Sequence, residues 1–404
     1  MDKIGELLTR GVANVIASKE KLEKLLRSGK KLNIYIGIDP TSPQIHLGHA
    51  VPLRKLQQFA QLGHNVIFLI GDFTALIGDT SDKDTERPIL SHQQIEQNFQ
   101  TYKKQAEKIL DFSKVNVRHN SEWLKELTFE KIIKLCQHFS LGDFIGRELI
   151  KRRLEDGKRV GLQEVLYPII QGYDSYFLDT DVQIGGTDQT FNMQAGRSLQ
   201  KDLRSKESFV LATKFLIGTD ERKMSKTWGN AIWLNDSPND MYAKIMAVND
   251  DLIIEYYTLA STVDLSKIEK IKKELEDGKN PMLVKKELAH EIVSELYGKK
   301  QADDAAENFE KVVQKKAMPQ EITEFKITGD VLDFYDLIVK IGFASSRGEA
   351  KRLIDQGGIS VDGKNVKEND YYKVQNNSIL ENTLEIHNQS VIQVGKRRFV
   401  RIKI

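Results

Sequence analysis

The chain reads as an α/β protein: a large first part with a parallel sheet wrapped by helices, then a helical layer, then a small third unit. Three observations predict this. Apolar runs of strand length alternate with stretches of helical spacing up to about residue 237. Residues 238–316 are rich in Lys and Glu, with helical apolar spacing and no convincing strand. Turn and strand signals return beyond Pro319 and Gly329, so residues 321–330 read as a linker. At 404 residues the chain is long enough for two or three such units.

Taken in order, an N-terminal helical stretch precedes Asn-Ile-Tyr-Ile-Gly-Ile at residues 33–38, a short buried strand. Asp39-Pro40-Thr41-Ser42-Pro43 admits only a turn. Residues 46–62 have helical apolar spacing and stop at Gly63, which suits a left-handed C-terminal cap. A second buried strand follows at 65–70. Helices at 91–110 and 128–139 then alternate with strands at 115–118 and 181–184. The expected boundaries are 1–237, 238–320 and 331–404.

Apolar residues make up 40% and charged residues 29%, which excludes a mainly disordered chain. Unbroken apolar runs such as 66–70 are far short of the roughly 20 residues of a membrane span. The opening segment, with Lys19, Glu20, Lys21, Glu23 and Lys24, lacks the apolar centre of a secretory signal, so a cytoplasmic protein without a membrane partner is expected. Cys136 is the only cysteine, which excludes an internal disulfide framework and a Cys-based zinc cage; no bound metal site is expected. The net charge of +2 argues neither for nor against nucleic acid, but from Tyr335 onward 12 Lys+Arg stand against 8 Asp+Glu.

Two segments carry chemistry. The strand at 33–38 delivers its turn to a helix start spelled His46-Leu47-Gly48-His49. Free backbone N–H groups and the helix dipole favour phosphate there, and Gly48 leaves room for a flat base or ribose. A metal pair or two surface histidines is the alternative. Downstream, Lys223-Met224-Ser225-Lys226-Thr227 sets two lysines around a short polar loop, suited to a polyphosphate. Taken singly it could be an ordinary solvated loop.

Together, these two segments resemble the paired signatures of the class I aminoacyl-tRNA synthetases. Tyr35-Ile36-Gly37-Ile38-Asp39-Pro40-Thr41, Gly78-Asp79-Thr80-Ser81, Tyr167-Pro168-Ile169-Ile170-Gln171 and Gly185-Gly186-Thr187-Asp188-Gln189 are similar, in the same order, to the bacterial tyrosyl branch over essentially the whole chain. The resemblance implies a Rossmann-like, doubly wound parallel sheet in the catalytic domain, with a connective insertion at about 115–161. It also implies ATP with Mg2+, L-tyrosine and tRNA(Tyr) as substrates and partners, and a homodimer formed through the inserted region.

It further implies residue roles. Tyr35 and Asp174 would bracket the phenol hydroxyl of tyrosine, and Asp174 lies in the apolar run 167–178, where an unpaired carboxylate would be costly. Asp79, Tyr167 and Gln171 would hold the ammonium, with Gln189 near the carboxylate. Asp188 would contact the ribose. Thr41, His46, Gly48, His49, Lys83, Arg87, Lys223 and Lys226 would surround the nucleotide and its triphosphate. Thr190-Phe191 stands where the family usually has Trp-Gly, and Thr80-Ser81-Asp82 where it usually has Pro-Ser-Gly; both departures adjoin the nucleotide rather than the amino-acid selector.

In the third unit, Ser346 and Glu349 have capping-box spacing, which predicts a helix with Arg347 and Lys351 on its exposed face and Arg352 alongside. Gly357-Gly358 ends it before a strand that turns at Asp362-Gly363. The segment resembles the S-four RNA-binding domain, a small α+β fold, and Lys396-Arg397-Arg398 predicts a basic strand edge for phosphates. Rival readings are a tryptophanyl synthetase, a nucleotidylyltransferase with the same HxGH spelling, and an RNA-binding relative without chemistry.

Overall fold

The strands lie where runs of β-branched and aromatic residues can be buried on both faces, the usual condition of a sheet covered by helices. The computed structural model describes residues 2–79, 90–226, 228–311, 322–326, 334–366, 386–395 and 398–403. It contains two compact units, Met1–Ala302 and Asp303–Ile404.

The first unit opens with α1 (Lys3–Leu7), β1 (Val12–Ile16) and α2 (Lys19–Arg27), then β2 (Asn33–Ile38), α3 (Leu47–Gln61) and β3 (Asn65–Ile70). Next come α4 (Thr74–Ile77), α5 (His92–Ala106) and β4 (Val115–His119). Four helices follow, α6 (Ser121–Leu124), α7 (Phe129–Cys136), α8 (Leu141–Ile145) and α9 (Glu148–Glu155), before α10 (Leu162–Phe177), β5 (Val182–Gly186), α11 (Thr190–Arg204) and β6 (Phe209–Thr213). The sheet order is β1-β6-β5-β2-β3-β4. Strands β2 to β6 pair in parallel, whereas β1 runs antiparallel to β6. The expected parallel sheet is thus present over five strands, with β1 added as one antiparallel edge strand. Val115–His119 is likewise a strand of the main sheet, so the inserted helices begin after it, not at residue 115.

The helical layer comprises α12 (Pro238–Met246), α13 (Ile253–Ala260), α14 (Leu265–Glu276), α15 (Pro281–Tyr297) and α16 (Lys299–Phe309). It starts where expected, but up to Ala302 it belongs to the same unit as the sheet and is not a domain of its own. Arg10 explains part of this. Its guanidinium donates to the main-chain oxygens of Tyr257, Thr258, Ser261 and Val263, at the end of α13 and just beyond. The Tyr256 hydroxyl donates to Ile217 O at 2.7 Å, and the Lys108 ammonium lies 3.6 Å from the centre of the Tyr297 ring.

The second unit holds β7 (Thr323–Lys326), α17 (Phe334–Lys340), α18 (Arg347–Asp355), β8 (Ile359–Val361), β9 (Lys364–Asn365), β10 (Val391–Val394) and β11 (Arg398–Lys403), with sheet order β7-β11-β10-β8-β9. Residues 323–326, expected within a linker, instead form a strand parallel to β11. That pairing also places β11 inside the sheet, so the expected basic edge at the C-terminus is not an edge. Asp362 and Gly363 both have positive φ, 47° and 80°, the conformation a two-residue β8–β9 hairpin needs. At α18 the cap is shared. Ser346 accepts from Glu349 N, while the Glu349 carboxylate reaches one residue further back and accepts from the Ser345 N–H and hydroxyl. Arg347 pairs with Asp336 at 2.6 Å, Lys351 and Arg352 are exposed, and Arg398 donates to Phe343 O at 2.7 Å. Lys396 and Arg397 lie outside the described residues.

Candidate active site

The turn after β2, the start of α3, α10, the residues between β5 and α11 and the loop after β6 surround one cavity of about 540 Å³. Its lining includes Tyr35, Thr41, His46, Gly48, His49, Asp79, Tyr167, Gln171, Asp174, Asp188, Gln189, Lys223 and Lys226. Residues up to 191 apart in the chain thus meet at the carboxyl ends of the parallel strands, the usual ligand position in open α/β sheets. Lys83, Arg87 and Thr227 lie outside the described residues.

At one end of the cavity are two buried phenols and a buried carboxylate. Tyr35 OH donates to Gln183 Oε1 at 3.1 Å, and Gln183 is itself held by donating to Met193 O at 2.9 Å. Asp174 is 2% exposed and accepts from Trp123 Nε1 at 2.8 Å and Asn120 Nδ2 at 3.1 Å. Burial pushes its carboxyl up to about 8 against the pull of those two donors. Burial and the nearby Asp174 also hold the Tyr35 phenol well above its ordinary range. Tyr35 therefore stays a neutral donor, and Asp174 offers both its oxygens as acceptors once it ionises, as pH rises through about 8.

Beside this end Asp79 accepts from Gln189 Nε2 at 2.8 Å, and Gln189 accepts from Asn192 Nδ2 at 3.1 Å. The Tyr167 hydroxyl donates to Asp39 at 2.9 Å, and Thr74 donates to the other oxygen of Asp39 at 2.7 Å. Gly71 makes that possible, since a Cβ there would sit 2.0 Å from Asp39 Oδ1. In the sequence Asp39 reads as a turn residue, and Gln183, Asn120 and Trp123 stand in no motif. A glutamine inside the buried strand Val182–Gly186 was the one available signal among them, because a buried amide needs partners.

At the other end the two imidazoles lie against each other with ring centres 3.9 Å apart and planes tilted by 48°. His49 Nδ1 accepts from the His46 backbone N–H at 3.3 Å, which leaves its proton on Nε2. Burial, reinforced by Lys226 and Lys223, holds His46 down to about 3; burial and its neighbour His46 hold His49 well below its ordinary value. Both rings are neutral hydrogen-bond donors at neutral pH. A Cβ on Gly48 would lie 2.9 Å from the His46 ring, so the glycine lets the imidazole fold close against the backbone while Gly48 itself still lines the cavity. At the same end, the Lys223 ammonium donates to Asp188 at 3.3 Å and lies 4.0 Å from the Phe215 ring centre. The Lys226 ammonium donates to Tyr102 OH at 3.0 Å. The lysine loop is fixed from below by Asn230, which accepts from Ser225 N at 2.9 Å and donates to Lys223 O at 3.2 Å.

Neutral donors and two ammonium groups at one end suit a polyphosphate, and the buried phenol of Tyr35 with the buried carboxyl of Asp174 suits an aromatic alcohol. Residues 27–314 match the family described as tRNA synthetases class I (W and Y), and residues 336–372 match the S4 domain. A tyrosine–tRNA ligase of Thermotoga maritima is 40% identical over 399 residues, 98% of this chain and 96% of that protein. One from Haemophilus influenzae is 39% identical over 398 residues, 98% and 96% of the two chains. In fold, the chain is similar to a C-terminally truncated mitochondrial tyrosyl-tRNA synthetase of Aspergillus nidulans, with TM-score 0.64 and 23% identity over 76% of this chain and 92% of that one. A tyrosyl-tRNA synthetase of Archaeoglobus fulgidus complexed with L-tyrosine gives TM-score 0.60 and 22% identity, covering 76% and 100%.

Proposed function

The chain belongs to the class I tRNA synthetases of the W and Y family, and from that premise we propose that its cavity activates L-tyrosine with ATP and passes the tyrosyl group to tRNA(Tyr). The observation that carries this reading is the meeting, in one cavity, of the Tyr35–Asp174 slot and the His46, His49, Lys223 and Lys226 cluster.

In the first step the substrate carboxylate, already ionised at neutral pH, attacks the α-phosphorus of ATP. A carboxylate oxygen–phosphorus bond forms, the bond to the bridging oxygen breaks, and pyrophosphate leaves with that electron pair. No general base is required, so catalysis rests on alignment and on stabilising charge at phosphate oxygens. His46 and His49 supply neutral N–H donors, and Lys223 and Lys226 supply mobile positive charge to the departing pyrophosphate. Thr41, Gly48 and Asp188 adjoin the nucleotide. Magnesium travels on the triphosphate as part of the substrate and offsets its charge. Tyr35 and Asp174 grip the phenol hydroxyl, Asp79, Tyr167 and Gln171 hold the ammonium, and Gln189 lies by the carboxylate. In the second step a hydroxyl of the tRNA's terminal ribose attacks the tyrosyl carbonyl, and AMP leaves. ATP–pyrophosphate exchange tested with each of the twenty amino acids should proceed with tyrosine alone. Exchange driven by tryptophan, or by none, would overturn the reading.

The S4 domain supplies RNA contact, with Arg347, Lys351, Arg352 and Arg398 as the described basic residues offered to tRNA phosphates. The working protein is a homodimer joined through the inserted helices. What supports this is exposed apolar surface in α7 to α10: Phe129 is 78%, Leu141 65% and Leu162 70% exposed, an unusual display for a monomer. Among the described residues no helix is long and apolar enough to cross a membrane, so these side chains need another cover. Phe129→Glu combined with Leu141→Glu should halve the mass measured by light scattering; an unchanged mass would argue against this interface.

A further inference from the structure

One feature of the cavity is not used by the activation chemistry. Trp228 follows the lysine loop, lines the cavity, and is nonetheless 48% exposed. Among the described large apolar side chains in that lining it is the exposed one; the others with comparable exposure lie elsewhere, mostly on the inserted helices. An indole half in water normally covers apolar surface or meets a partner.

The indole is backed on one side. The Arg222 guanidinium carbon lies 4.5 Å from its ring centre. Arg222 is in turn clamped by the carboxylate of Asp220, through Nε at 2.8 Å and through a second, shorter bond from Nη2. Asp220 also accepts from Asn230 Nδ2 at 2.6 Å, and Asn230 is the buried residue that fixes the lysine loop. The chain reverses tightly here, with Glu221 at φ 66° and Gly218 N donating to Arg222 O at 2.7 Å. Gly218 leaves the space that Asn230 fills, since a Cβ there would lie 2.5 Å from the Asn230 amide. A hydrogen-bonded chain thus holds the arginine that braces Trp228. Among the described residues, Arg222 is the indole's one ring contact.

Resting on the reading above, we propose that Trp228 is the stacking platform for the terminal adenine base of tRNA at the cavity mouth during tyrosyl transfer. A single-stranded purine is recognised chiefly by stacking on an exposed aromatic face, and a guanidinium-backed indole is a preordered one. The alternative purine is the adenine of ATP. On the reading above, its triphosphate would run between the buried imidazoles and the two lysines, whereas Trp228 lines the same cavity with about half its surface in water, open to a larger partner.

The test separates the two half-reactions of the full-length protein. Trp228→Ala should leave tyrosine-dependent ATP–pyrophosphate exchange within about 2-fold, and slow single-turnover transfer from preformed adenylate to tRNA by about 10-fold or more. Trp228→Phe should recover most of the transfer rate, because stacking needs a ring rather than an indole. Indole fluorescence lost in the Phe variant should, in the parent, be quenched by an RNA hairpin ending in CCA and not by one ending in CC. A raised KM for ATP in the exchange reaction would assign the platform to ATP and overturn the proposal, as would unchanged transfer in the alanine variant or equal quenching by both hairpins. Absence of tyrosine-dependent exchange in the parent protein would instead fault the synthetase reading itself.

Discussion

Lys226→Ala is expected to slow tyrosyl-adenylate formation by about 3 kcal/mol, on the order of 100-fold, while leaving tyrosine affinity nearly unchanged. The reason lies in what the ammonium touches. At rest it donates to the Tyr102 hydroxyl at 3.0 Å and its positive charge is felt at both His46 and His49, so it stands at the imidazole end of the cavity, where the phosphates are proposed to lie. Lys223, by contrast, donates to Asp188, and its release is opposed by that carboxylate. Lys226 also lies at the end of the cavity opposite the phenol slot, so its loss should not be felt in tyrosine binding. Single-turnover measurement of adenylate formation decides the matter. A rate near that of the parent protein would remove Lys226 from the chemistry.

Asp174→Ala should reduce the preference for tyrosine over phenylalanine, measured by pyrophosphate exchange, by about 100-fold or more. A site that hydrogen-bonds a hydroxyl rejects the analogue lacking it because its own buried groups are left unpaired. Tyrosyl synthetases are the reference case for that effect, and the magnitude is the one general to them. Truncation also strands the Asn120 and Trp123 donors, so Asp174→Asn, which keeps one acceptor oxygen, is the better-folded companion variant. The sign of the pH dependence follows from the folded value of about 8 against 3.8 for the free side chain. Because burial raises it, the carboxyl contributes stability to the unliganded protein that is complete below about 3.8 and lost as pH rises through about 8. Acceptance of the tyrosine hydroxyl needs the ionised form, so tyrosine affinity should climb through the same region. Calorimetric titration of tyrosine from pH 6 to 9 should show that limb in the parent and a flat profile in the Asn variant.

Much of the fold was legible because the relevant signals were local. The strands at 33–38 and 65–70 are short apolar runs bounded by turn residues, and the structure starts and ends them at those positions. The helix at 46–62 is stopped by Gly63, whose φ is 85°. β1 was hidden because Val12–Ile16 is a five-residue segment between two helical stretches, exposed at two of its positions, and it becomes a strand by pairing with β6 some 200 residues later. β6 itself, Phe209–Thr213, has only four consecutive apolar residues before Thr213, a run too short to mark a strand without its neighbours. The candidate site divides the same way. Residues in ordered motifs, such as His46 and Lys226, were readable from spelling. Asp39, Asn120, Trp123 and Gln183 act by holding another side chain, and that relation exists only after strands and helices from distant parts of the chain are brought together.

The four main-chain oxygens gathered by Arg10 bear on the order in which this protein can be completed during synthesis. A guanidinium near the start of the chain waits for acceptors that emerge some 250 residues later, and the outermost strand beside it waits almost as long for its partner. The opening segment therefore has no finished seat until well over half of the polypeptide exists, and fragments ending earlier leave a cation and a strand edge without their intended neighbours.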